Sequence, residues 1–177
     1  MEIKKEILEG CVKHDREAQH KLYKQCYLDL MGLCLRYTKS KSEAEEVLNS
    51  AMLKVYTKID TYNQQGDFGA WIRRIIVNTA LDYLKSEKRY SDYADIEDTA
   101  LNETDHSEAP MESEYLLNML KSLPILQNKV FNLYAIEGYS HKEIANMLQI
   151  SEANSKWNLF TARKTLQELV NKHYSEN

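Results

Sequence analysis

Apolar residues recur at spacings of three and four along most of this chain, the signature of amphipathic helices packed on one side. Residues 1–14 predict a short helical lead-in. From Ala18, the positions Leu22, Cys26, Leu30, Leu33 or Cys34, and Tyr37 predict a helix to about Thr38, with Asp15 as its cap. After the polar break KSKSE, a helix is predicted from about Ser42 to Asp60. Its inner face is Ala44, Leu48, Ala51, Val55 and Ile59. Glu43, Glu45 and Glu46 fall at its start, where acids complement the helix dipole. Residues 60–67, DTYNQQGD, read as a polar loop. The next helix, about Phe68 to Lys88, carries Ile72, Ile75, Ile76, Ala80 and Leu84 on one face. Periodicity then lapses over 91–113.

The pattern resumes at Glu114 with Leu116, Leu117, Leu120 and Leu123. Pro124 suits the first turn of a following helix, where its missing N–H costs nothing. Val130, Phe131 and Tyr134 give that helix an apolar face and Gly138 ends it. Ser140 and Glu143 form a capping-box signature for a short helix to about Leu148, with Ile144 and Leu148 on one face and Ala145 small enough for close helix approach. Gln149-Ile150-Ser151 is a tight break. Ser151 can cap a longer helix whose Leu159, Ala162, Leu166 and Leu169 repeat at helical spacing. Two helices across a three- to four-residue turn, the second exposing Ser155, Lys156 and Arg163, have the layout of a helix-turn-helix that enters DNA. An ordinary helical hairpin has the same pattern. The predicted fold is all-α: two small helical domains, 1–90 and 114–177, joined by a flexible acidic linker over 91–113. The C-terminal domain is a four-helix, helix-turn-helix unit with its core around Leu120, Val130, Phe131, Ile144, Leu148, Ile150, Leu159 and Leu166.

Composition supports helices: the chain has five Gly and two Pro in 177 residues. The N-terminus has no signal-peptide core, and no apolar run reaches the ~18 residues of a membrane span. Three cysteines, Cys11, Cys26 and Cys34, sit within helical patterns and read as reduced thiols of a cytoplasmic protein, without zinc-ligand spacing. The formal net charge of −4 argues at first against nucleic acid. Its distribution reverses that. Residues 92–114 hold nine acids and no Lys or Arg; the rest of the chain has 23 bases against 18 acids. Charge asymmetry of this kind marks interaction surfaces.

One stripe of the fourth predicted helix stands out. Trp71, Arg74, Asn78, Asp82, Lys85 and Arg89 are spaced by three and four and span roughly 27 Å at 1.5 Å per residue. Aromatic, amide and cationic groups in a line suit a single nucleic-acid strand, whose bases stack and whose backbone follows the charges. A solvated helix face with Trp71 in the core accounts for the same spacing. Asn78, a poor helix former at mid-helix, asks for a further reason.

Phe68, Trp71, Ile72, Ile75, Asn78, Asp82 and Lys85 fit the pattern F-x-x-W-[LI]-x-x-I-x-x-N-x-x-x-D-x-x-[RK]. The segment LLNMLKSLPILQNKVFNLYAIEGYSHKEIANMLQIS follows, with Lys156, Leu159, Ala162 and Arg163 beyond it. In this order, with an acidic linker between, these segments resemble the extracytoplasmic-function sigma factors, the small promoter-recognition subunits of bacterial RNA polymerase. The resemblance implies a core-polymerase contact through Glu43, Glu45, Glu46, Leu48, Asn49 and Met52. It implies that Tyr62, Phe68, Trp71, Arg74, Asn78, Lys85, Lys88 and Arg89 hold the melted −10 strand. It implies that a recognition helix carrying Ser151, Glu152, Asn154, Ser155, Lys156, Asn158, Arg163 and Lys164 enters the −35 duplex. An inhibitory anti-sigma factor, wedged between the domains, is the further partner implied. No enzyme activity, cofactor, metal, small-molecule substrate or membrane insertion is expected.

The chain departs from the family pattern at several positions. Asn49-Ser50 stands where Gln-Glu is usual. Gln149 replaces a turn Gly, so it either adopts a left-handed conformation, costing on the order of 1 kcal/mol, or forms a different turn. Ala153-Asn154 replaces Gly-Thr. Asn158 and Thr161 replace two basic residues, which weakens phosphate anchoring. Two other readings compete with initiation. A stand-alone helix-turn-helix regulator would have no need of the Trp71–Arg89 stripe. A sigma-like adaptor would bind polymerase without directing initiation.

Overall fold

The computed structural model describes residues 3–62, 66–93 and 111–176. The chain divides into two compact units, Met1–Asp105 and His106–Asn177. All regular elements among the described residues are helical.

In the first unit, α1 (Lys5–Val12) packs on α2 (Arg16–Leu35), and α2, α3 (Lys41–Lys58) and α4 (Phe68–Tyr93) pack on one another. The α1–α2 corner is tight. His14 adopts a left-handed φ of 57°, and the Asp15 N–H donates to the Gly10 carbonyl at 2.9 Å. A Cβ on Gly10 would lie 2.5 Å from the Ala18 Cβ, so glycine permits the approach. The Asp15 carboxylate caps α2 by accepting from the Ala18 N–H at 2.8 Å, as its sequence position predicts. Ser40, one residue before the polar KSE, caps α3 through the Glu43 N–H.

The inner faces predicted for α2 and α3 are the core. Leu22, Cys26, Leu30, Leu33, Cys34 and Tyr37 are buried, as are Ala44, Leu48, Ala51, Val55 and Ile59. Each fully buried Leu or Ile contributes about 1.5–3 kcal/mol. α4 is rotated slightly from expectation. Ile72, Ile76 and Ala80 are buried, but Val77 and Leu81 join them, while Ile75 and Leu84 are only half-buried. A 3-10 turn, Ile59–Thr61, ends α3. Tyr56 fastens α3 to α2 by donating its hydroxyl hydrogen to the Gln19 carbonyl at 2.8 Å.

In the second unit, α8 (Glu152–Glu176) packs against α5 (Met111–Lys121), α6 (Ile125–Phe131) and α7 (His141–Leu148). Pro124 is the cap of α6 and stands just before its first turn. The end of that helix differs from expectation. A π-helical turn, Asn132–Ile136, follows α6, closed by the Glu137 N–H on the Asn132 carbonyl at 2.9 Å. The wider turn shifts the register. It brings Asn132 and Leu133 into the core and leaves Tyr134, predicted on the apolar face, at the surface. The buried Asn132 amide donates to Asn128 Oδ1 and to its carbonyl, both at 3.0 Å. Val130, Ile144 and Leu159 are core as predicted, whereas Leu120, Phe131, Leu148, Ile150 and Leu166 are half-buried; Met119, Leu123, Ala145 and Ala162 complete the packing.

The expected linker 91–113 is helical at both ends, since α4 runs to Tyr93 and α5 starts at Met111; residues 94–110 lie outside the described residues.

Candidate nucleic-acid interface

α7 and α8 form the helix-turn-helix. Ser140 and Glu143 make the predicted capping box, with the Ser140 N–H donating to the Glu143 carboxylate at 2.9 Å. Gln149 ends α7 in the left-handed region at φ 56°, and the Ile150 N–H donates to the Ala145 carbonyl at 3.0 Å. The turn at which glycine was expected is thus made by a residue with a side chain. Ser151 then caps α8 through the Asn154 N–H at 3.1 Å.

The outward face of α8 is narrower than the sequence suggests. Glu152, Asn154, Lys156, Arg163 and Lys164 are exposed. Ser155 and Asn158, expected among the residues that meet the −35 duplex, are 0% and 3% exposed and face the domain. Ser155 Oγ pairs with His141 Nδ1 at 2.9 Å, joining the start of α7 to α8. The Asn158 amide donates to the Asn154 side-chain oxygen at 2.6 Å and to its carbonyl at 2.9 Å. A buried polar group must find partners inside the protein, and both have done so. His141 stacks on Tyr134 at 4.4 Å, and the Arg163 guanidinium lies 5.7 Å from the Tyr134 ring centre. Desolvation first, then the nearby Lys156, hold the His141 imidazole below its ordinary pKa, with Glu152 opposing and Arg163 reinforcing the shift.

α4 keeps the predicted stripe on its surface. Arg74, Asn78, Asp82 and Lys85 are exposed and Trp71 is half-buried. Asp82 is paired with Lys54 of α3 at 3.7 Å, which offsets the stripe's one acid among its described side chains. The side chains of Lys88 and Arg89 lie outside the described residues. At the head of the stripe three rings meet: Phe68 and Trp71 stack at 5.6 Å, and Tyr62 approaches Phe68 at 4.9 Å and Trp71 at 5.6 Å. The Tyr62 hydroxyl donates to the Gly66 carbonyl at 2.6 Å, fastening the ends of the loop. Phe68, expected to touch the strand, is instead the buried ring of this cluster.

Comparison with known proteins gives these two surfaces a common setting. Sigma-70 region 2 matches residues 22–90, and Sigma-70 region 4 matches residues 113–166. This chain belongs to the extracytoplasmic-function sigma factors. The sigma-E factor of Escherichia coli K12 is 27% identical over 177 residues, covering 93% of this chain and 92% of its own length. SigM of Bacillus subtilis is 27% identical over 154 residues, covering 85% of this chain and 94% of its own. In fold, the chain resembles the Bartonella quintana sigma factor RpoE, solved in complex with the anti-sigma factor NepR. The TM-score is 0.53 at 23% identity, over 85% of this chain and 98% of that one.

In this sigma factor the α3 residues expected to meet polymerase divide three ways. Glu45, Glu46 and Asn49 reach the surface or its margin. Leu48 and Met52 are buried in the core, because they face α2 and α4 rather than solvent. Glu43 is held at the start of its own helix, where its carboxylate accepts from the Lys39 N–H at 2.9 Å. Two tyrosines of α2 engage the rest: Tyr23 donates to Asn49 Oδ1 at 2.7 Å and Tyr27 to Glu45 Oε1 at 2.8 Å. The outward apolar residue of α3 is Leu53, 65% exposed. It follows Glu46, Asn49 and Ser50 at helical spacing. That spacing was available in the sequence; what concealed it was the stronger inner-face repeat. No helix among the described residues is long and apolar enough to cross a membrane.

Proposed function

We propose that this sigma factor binds core RNA polymerase through the outward face of α3, holds the melted −10 strand along α4 and reads the −35 duplex with α8. Residues 1–90 then serve polymerase and the −10 element, 114–177 serve the −35 element, and 91–113 connect them. The observation that carries this reading is the exposed Arg74–Asn78–Lys85 line on the same chain as a capped helix-turn-helix. A major groove accepts a helix, whereas melted bases require amide and aromatic groups beside cations. A stand-alone repressor needs only the first.

Glu46, Asn49, Ser50 and Leu53 offer polymerase a surface that is polar at one end and apolar at the other. Tyr62 and Trp71 act at the loop where the strand separates. Arg74, Asn78 and Lys85 follow the separated strand. Binding energy does the work: nucleotide addition belongs to the polymerase, and the sigma factor breaks no bond. It acts in the cytoplasm, where promoter DNA is, under an anti-sigma factor that occupies surfaces used for polymerase or DNA.

The test is transcription by cognate core polymerase on genomic fragments, with starts mapped. Discrete starts that depend on the added protein and share spaced upstream elements are expected. Core binding without starts favours the adaptor reading; duplex binding without polymerase favours the regulator. Within the same assay, Asn78→Ala should leave core affinity intact and lower open-complex yield about tenfold, within the ~1–3 kcal/mol of a good hydrogen-bonded contact between an amide and a base edge. An unchanged yield removes Asn78 from the strand path.

A further inference from the structure

α8 turns one line of residues directly away from its own domain. Ser155, Asn158, Leu159 and Ala162 form its buried side. At 3.6 residues per turn, the line opposite them is Ala153, Trp157, Phe160 and Lys164. Trp157 is 61% exposed and Phe160 69%. Neither ring is part of the buried core among the described residues. Two large apolar side chains three residues apart on a solvent face form a patch of the kind that marks a contact surface. Lys156 and Arg163, both exposed, lie along one shoulder of the line and Lys164 continues it.

An apolar ridge bordered by cations is complementary to a duplex major groove. Phosphates line the groove's walls, and thymine presents a C5-methyl group on its floor. The polar side chains at positions 155 and 158, expected to meet the duplex, are turned inward, which leaves the ridge as the part of α8 that projects farthest. We propose that Trp157 and Phe160 read thymine methyl groups in the −35 duplex, so that apolar contacts specify the upstream element while Lys156 and Lys164 anchor on phosphates. This rests on α8 being the duplex-reading helix. A protein could also cover two aromatic rings, but the bordering cations favour a polyanion.

The experiment uses the full-length protein bound to core polymerase and a promoter from which it initiates. Thymines of the protected upstream element are replaced one at a time by uracil, which removes only the methyl. Binding should weaken about fourfold at each contacted methyl, the effect of one buried carbon. Trp157→Ala and Phe160→Ala should each abolish the discrimination at one position, with helix content and core binding unchanged. Protection of an element whose uracil versions bind as well as thymine overturns the proposal and leaves the duplex-reading role of α8 standing. So does a protected element without thymine, or full discrimination by both variants. Absence of any upstream protection by the holoenzyme overturns the role of α8 itself.

Discussion

Asn158 bonds its amide to Asn154 rather than to solvent, and that one choice redraws the outward face of α8. Polar residues on the inner side of a helix are the hardest to place from sequence, because their periodicity matches either face. Ser155 is the same case, resolved by His141. The cysteines are easier, since they fall on the core repeat. Burial raises the pKa of Cys11 to about 11 and of Cys26 and Cys34 to about 12, with Asp15 and Asp29 adding to the effect at the first two and Arg36 opposing it at the third. All three should resist a thiol-specific disulfide reagent in native protein at pH 8 and react together on unfolding. The unfolded chain loses these protons near the ordinary value of 9.0, the folded one higher, so stability falls as pH climbs above about 9. Urea midpoints measured at pH 8 and pH 10 test this; a midpoint that rises with pH contradicts it.

Helix ends and corners carry the next level. Asp15, Ser140 and Ser151 cap the helices their positions predict, because capping is a local interaction within four residues. Gln149 occupies a conformation that favours glycine, so Gln149→Gly should stabilise the second unit by about 0.5–1 kcal/mol, read as a raised denaturation midpoint. Gly10 is the reverse. An added methyl would collide with Ala18, and Gly10→Ala should cost the first unit about 1–3 kcal/mol by forcing α1 from α2. The π-helical turn after α6 was not legible in the sequence. Its register depends on which of Leu133 and Tyr134 packs inside, and the partners that settle this come from elsewhere in the unit.

At the scale of the molecule, charge separates by segment: an acidic stretch of nine carboxylates within 92–114, and helices on either side that are neutral to basic. Binding to promoter DNA should therefore weaken steeply with salt. Lys156→Ala with Lys164→Ala should flatten the slope of log affinity against log salt by about 2, roughly 1 per phosphate contact. An unchanged slope would show that neither lysine meets a phosphate.

The sequence alone determined most of the helices, the caps of α2, α7 and α8 and the inner faces of α2 and α3, because these depend on spacing along the chain and on local hydrogen bonds; the family was legible in the residue motifs themselves. Tertiary structure decided which side of α8 faces out, that Leu48, Met52 and Phe68 are core while Leu53, Trp157 and Phe160 are surface, and how α6 ends. Each of those choices depends on what a neighbouring helix covers, and the periodicity of one helix does not record where its neighbours lie.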